Sequence, residues 1–137
     1  MFNTKWISGP ALTVGICLAL TPAVFGVGPW LESRLFPVVR DTRISQPHES
    51  SDGISFFVAF RKVRQCEFMA LVWYENATRL VVDFEPDADQ SPRTRPTGEQ
   101  YTGPWLVRGL QSLERSQAYV YHRCHPLWIT ISTFHDG

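Results

Sequence analysis

The sequence predicts an all-β body, a seven-stranded antiparallel sandwich, behind one N-terminal apolar segment. Three observations predict it. Trp6 to Leu31 is a run of 26 residues without a charge. The rest of the chain falls into short runs rich in β-branched and aromatic residues, with almost no helical periodicity. Two of the three cysteines, Cys66 and Cys124, lie in that remainder. The chain has 137 residues, 44% of them hydrophobic and 19% charged, which is the composition of a packed domain and of a single one. Thirteen basic residues balance thirteen acidic ones. A chain without a basic excess is a poor nucleic-acid binder, so no nucleic-acid partner is expected.

The uncharged stretch defines a first segment, residues 1–31, which is either a transmembrane anchor or a signal segment. As a helix, residues 6–31 reach roughly 39 Å, enough to cross a hydrocarbon core of about 30 Å with tilt. Trp6 and Trp30 bracket the stretch where interfacial aromatics are favoured. Lys5 and the amino terminus lie on the short side, so the positive-inside rule places the N-terminus in the cytoplasm. Residues 32–137 are then an exported domain, periplasmic or extracellular. The competing reading is cleavage near residue 24, because Ala11 to Thr21 has the length of a signal core and Thr21-Pro22-Ala23 is a loose small-x-small site. Both readings export the body.

Export sets the expected state of the cysteines. Cys66 and Cys124 form an even pair in an oxidising compartment, and a disulfide is the expected outcome. Closing their 58-residue separation would contribute about 4 kcal/mol through chain entropy. The alternative is a zinc set of Cys66, His122, Cys124 and His125, whose ligand types suit tetrahedral zinc. Its spacing lacks any C-x-x-C or H-x-x-x-H pair, so no metal or other cofactor is expected.

Strands are expected near 36–44, 54–63, 67–74, 79–84, 105–110, 117–123 and 127–134. Residues 47–53 read as a turn cluster and Glu75-Asn76-Ala77-Thr78 as a hairpin turn. The two cysteines fall at strand junctions, so a bridge would tie two connections at one end of the sandwich. Leu113-Glu-Arg-Ser-Gln-Ala-Tyr119 resembles the tyrosine corner of fibronectin type III domains, without the usual proline and glycine between the two ends. That resemblance implies an immunoglobulin-like or fibronectin-like sandwich by architecture, and such folds carry many functions. Cys66-Glu67-Phe68 together with the segment His122 to Trp128 resembles small uncharacterised phage and proteobacterial proteins with one N-terminal apolar segment and a β-rich body. It implies an envelope-type location and no particular activity.

The candidate partner surface comes from the third strand. Met69, Leu71 and Trp73 occupy one face and Phe68, Ala70, Val72 and Tyr74 the other, so both faces are apolar. A sandwich strand normally turns a polar face outward. An exposed Met69-Leu71-Trp73 face, joined by Trp128, would mark a site for a protein partner. Arg93 and Arg95 in the proline-rich connection 85–104 would add contacts to an acidic or phosphate group. Asp83, Glu85, Asp87 and Asp89 read as a solvated acidic strand end, because they lack the spacing of a calcium loop. No nucleophile, base and orienting group combine, so no catalytic residue is expected. The expected function is non-enzymatic: a membrane-anchored sandwich acting through contact with an unknown protein. A secreted binding module for a sugar, small ligand or metal is the alternative.

Overall fold

The computed structural model describes residues 9–84 and 95–137. Gly9–Leu35 form helix α1. No charged side chain interrupts its first six turns, and none of its residues is buried. Its hydroxyls are satisfied within the helix: Thr13 Oγ1 donates to the Gly9 carbonyl and Thr21 Oγ1 to the Cys17 carbonyl at 2.7 Å. Pro37, two residues past the end, cannot continue the helical ladder. The helix is long and apolar enough to cross a membrane.

Apart from a single 3-10 turn at Leu113–Arg115, the remaining elements are antiparallel strands: β1 (Val39–Ser50), β2 (Gly53–Lys62), β3 (Glu67–Glu75), β4 (Thr78–Phe84), β5 (Gly98–Arg108), β6 (Ser116–Arg123) and β7 (Thr130–Asp136). They form one sheet in the order β1-β2-β5-β4-β3-β6-β7. The expected all-β body and its seven strands are present. The two expected sheets are joined, because β4 belongs to both halves: Thr78–Leu80 pair with β3 and Val81–Phe84 with β5. The sheet therefore curls into a half-barrel around one core. Val38 draws its edges together, since its N–H donates to Ser132 Oγ of β7 at 3.0 Å and its carbonyl accepts from Val63 N–H at 2.9 Å.

Asn76 and Ala77 form the two-residue turn of the β3–β4 hairpin with φ of 48° and 63°, as such a turn requires. β5 begins seven residues earlier than the sequence suggests. Gly98, Gly103 and Pro104 read as loop residues, yet β2 pairs with the backbone from Gly98 onward. The insertion is absorbed by a bulge, in which Phe57 faces Gly103-Pro104 between the pairs Phe56–Trp105 and Val58–Thr102. The Tyr119 hydroxyl donates to Gln117 Oε1 on its own strand, so it does not turn back to the preceding backbone as a tyrosine corner does.

The core is aromatic. Trp73 packs on Phe56 with ring centroids 5.3 Å apart, and Trp105 packs on Phe134 at 5.8 Å. Trp73 is fully buried and Leu71 packs against the same cluster, which corrects their assignment to an exposed partner face. The cause is a bulge in β3 opposite β6, between the pairs Phe68–His122 and Ala70–Tyr121. Phe68 joins the core, Met69 becomes the extra residue and stays exposed, and Leu71 and Trp73 keep the inward phase. Trp73→Ala is expected to lower stability by about 3–5 kcal/mol, against less than about 1 kcal/mol for Met69→Ala. Thermal unfolding of the full chain in neutral detergent, followed by near-UV circular dichroism, measures the difference.

Candidate functional site

One end of the half-barrel gathers the unusual chemistry. It is the end where α1 enters, with the start of β1, the end of β2, the β2–β3 connection and the β6–β7 connection. Cys66 and Cys124 are bonded there, with Cα atoms 4.6 Å apart. Both thiolates are used, so the alternative zinc set with His122 and His125 does not form, and the described residues contain no other cluster of metal ligands.

Residues flanking the two cysteines grip the helix. Arg64 Nη1 donates to Glu32 Oε1 at 2.9 Å and to the Phe36 carbonyl at 2.7 Å. Trp128 Nε1 donates to Glu32 Oε2 at 2.5 Å, and His125 Nε2 lies 3.1 Å from the same oxygen. A carboxylate in the last turn of a helix opposes the helix dipole, so its partners are what favour it there. Phe25 meets the Trp128 ring edge-on at 6.1 Å. Gly28 lets the indole approach, because a Cβ there would lie 2.9 Å from the ring. Trp128 is thus half-buried under α1, which corrects its assignment to an open partner face.

The second feature is a cavity of about 40 Å³ just inside this end. Phe60, Phe68, Phe84, Trp105 and Phe134 give its wall an aromatic character, and Lys62, Arg95 and His122 also line it. Lys62 is the last residue of β2 and only 3% exposed, with Nζ donating to the Arg95 carbonyl at 2.7 Å. His122 is likewise 3% exposed, and its Nδ1 has no hydrogen-bond partner. Arg95 donates from Nη2 to Thr102 Oγ1 at 3.0 Å and lies over the Phe60 ring. It therefore sits half-buried in the cavity wall instead of on a surface loop. Arg93, Glu85, Asp87 and Asp89 fall outside the described residues, and Asp83 pairs with Arg108.

Burial lowers the pKa of Lys62 and of Arg95, and the Arg95 charge lowers Lys62 further. Burial, followed by the charge on Lys62, brings His122 down to about 4. Three basic groups thus share a poorly solvated space with no carboxylate among the described residues of its wall.

Lys62 was missed by the sequence reading and His122 entered it only as a candidate zinc ligand, although a signal for both as buried groups was available. Ile54, Phe56, Val58 and Phe60 point inward with period two, and Lys62 continues that phase. Ser116, Ala118 and Val120 do the same on β6, and His122 continues theirs.

The outer face of the β4-β3-β6-β7 half also carries apolar side chains. Val81, Met69 and Ile131 are exposed, and the half-buried Tyr74 and Tyr119 rings meet at 6.4 Å. Of the expected partner surface, Met69 alone lies exposed on this half of the sheet. No family model matches this chain, and no curated protein or solved structure matches it either.

Two outcomes are expected of this end. Glu32→Ala leaves the Trp128 indole without its acceptor and Arg64 with the Phe36 carbonyl alone, at a cost of about 2 kcal/mol to docking of the helix. Hydrogen exchange at the amides of residues 127–129 should then accelerate about thirtyfold while the core strands stay protected. His122 gives the pH dependence. The folded state holds the neutral ring down to about pH 4, whereas the unfolded chain takes up a proton near 6.5. Its contribution is full above pH 6.5 and is lost as the pH falls to 4, by about 3 kcal/mol. Melting curves across that window should slope accordingly, and His122→Phe should flatten them.

Proposed function

We propose that the chain is a membrane-anchored, non-enzymatic protein that works by contact with another protein on the outer side of a membrane. The observation that carries this reading is the contrast along α1. The helix is apolar around its circumference with no buried residue, yet its last turn is clasped to the body through Glu32. A helix with no polar face has its natural solvent in a bilayer, and a clasped one holds the body in a fixed attitude to it. Lys5 on the short side supports a cytoplasmic N-terminus, and the disulfide supports an oxidising location for the body. The contact surface we favour is the outer face bearing Met69, Tyr74, Tyr119 and Ile131, since tyrosine and methionine are enriched in the buried centres of interfaces.

We propose further that the half-barrel is an immunoglobulin-like sandwich by architecture. Three strands β3-β6-β7 stand against β1-β2-β5, and β4 sits at the corner. This neighbour order is that of a seven-stranded immunoglobulin-like sandwich, which supports that architecture despite the altered tyrosine position. The aromatic cavity favours the second reading, a secreted binding module freed by cleavage near residue 24.

Extraction separates the two. The anchored protein should stay in the membrane pellet through alkaline carbonate and dissolve only in detergent, with residues 1–23 retained in its intact mass. A soluble product beginning near residue 24 would replace this proposal with the secreted one. A photo-crosslinker at Tyr119 should trap a specific partner in the membrane, and one at Tyr101 on the opposite half should not.

A further inference from the structure

The buried basic groups at the α1 end have no use in the contact just proposed. An ammonium is costly to bury without a counter-charge, and this lysine is 3% exposed. Its ammonium carries three donors, and one goes to the Arg95 carbonyl. The His122 ring beside it leaves Nδ1 without a partner. Trp73 Nε1 and Thr130 Oγ1 are also buried without a partner, but only at His122 does the orphan atom line the cavity beside a buried ammonium, where a bound group would complete the set. The wall between these groups is hydrocarbon and aromatic, with Phe60, Phe84 and Trp105 closing it. The cavity of about 40 Å³ is roughly three times the space one water needs, which is room for a carboxylate and not for a ring. Its lining residues Lys62, Phe84 and Val39 end or begin their strands, so it lies at the α1 end of the half-barrel.

We propose that this cavity is a binding site for the carboxylate head of an acyl acid, held by Lys62 and Arg95 with His122 against its second oxygen and the start of its hydrocarbon chain on the aromatic wall. Charge complementarity selects the anion, because the wall is cationic and no described residue in it is acidic. The aromatic lining selects an acid with an apolar body over a mineral anion. A bound carboxylate reverses the balance at His122 and raises its pKa, because an opposite charge within reach favours the imidazolium. The site lies wholly in the body and does not depend on how α1 is used.

The test is a nuclear magnetic resonance titration of the full chain in neutral detergent at fixed ionic strength, reading the His122 ring nitrogens. Butyrate and hexanoate should shift them saturably, hexanoate binding more tightly, and the His122 titration should move upward when the site is filled. Lys62→Met should weaken hexanoate at least about tenfold. Should that variant not fold, Arg95→Met provides the same reading. The proposal is overturned if hexanoate gives no saturable shift, or if butylamine or inorganic phosphate shifts the ring as strongly. Unchanged affinity in the folded variant would also overturn it. A further overturning result is binding that emerges only in the triple variant Glu85→Gln, Asp87→Asn, Asp89→Asn, since a carboxylate of the chain's own would then hold the place.

Discussion

The arrangement of this molecule depends on one carboxylate. Glu32 ends the apolar helix and accepts from Arg64, Trp128 and His125 across two separate connections of the sheet. Arg64 stands two residues before Cys66, and His125 directly after Cys124. The disulfide therefore holds together the two arms that grip the helix. Val38, six residues past Glu32, ties β7 to the β2 end from the same place. Helix docking, closure of the curled sheet and the covalent bridge are three constraints on one small region.

Much of the fold was legible because it rests on local pattern. β3, β4 and β6 fall within a residue of where β-branched and aromatic runs place them, and Asn76-Ala77 turns as its neighbours require. The start of β5 was not legible, because Gly98 and Gly103-Pro104 carry loop signals that pairing with β2 overrides. The outward assignment of Trp73 had a similar origin. Strict alternation along β3 leaves two apolar faces and no way to choose between them. The bulge at Met69 makes the choice, and it depends on the register with β6, which no single strand encodes.

The basic cavity shows the opposite case, a feature the pattern did carry. In β2 and β6 the inward phase runs from apolar residues straight into Lys62 and His122. A charged residue at a strand end reads as solvent-facing by habit, yet phase is the stronger guide when alternation has held for three or four positions. The two strands face each other across the core, so both exceptions arrive at one place. Consistency elsewhere in the core is what makes such a local departure informative.

The edges of the sheet have a consequence for crowding. β1 is twelve residues long and forms one free edge, a shape that invites strand addition by a neighbouring copy. Its backbone is broken twice, with Asp41 at φ 54° and Gln46 at φ 53° at its two register shifts. Pro47 removes a donor, and Arg40, Arg43 and Glu49 stand exposed along it. An incoming strand would meet an interrupted row of donors and a line of charge. In the proposed anchored state, copies share a plane and collide far more often than in free solution. The irregular first strand then guards this edge of the sheet against zipping onto a neighbour.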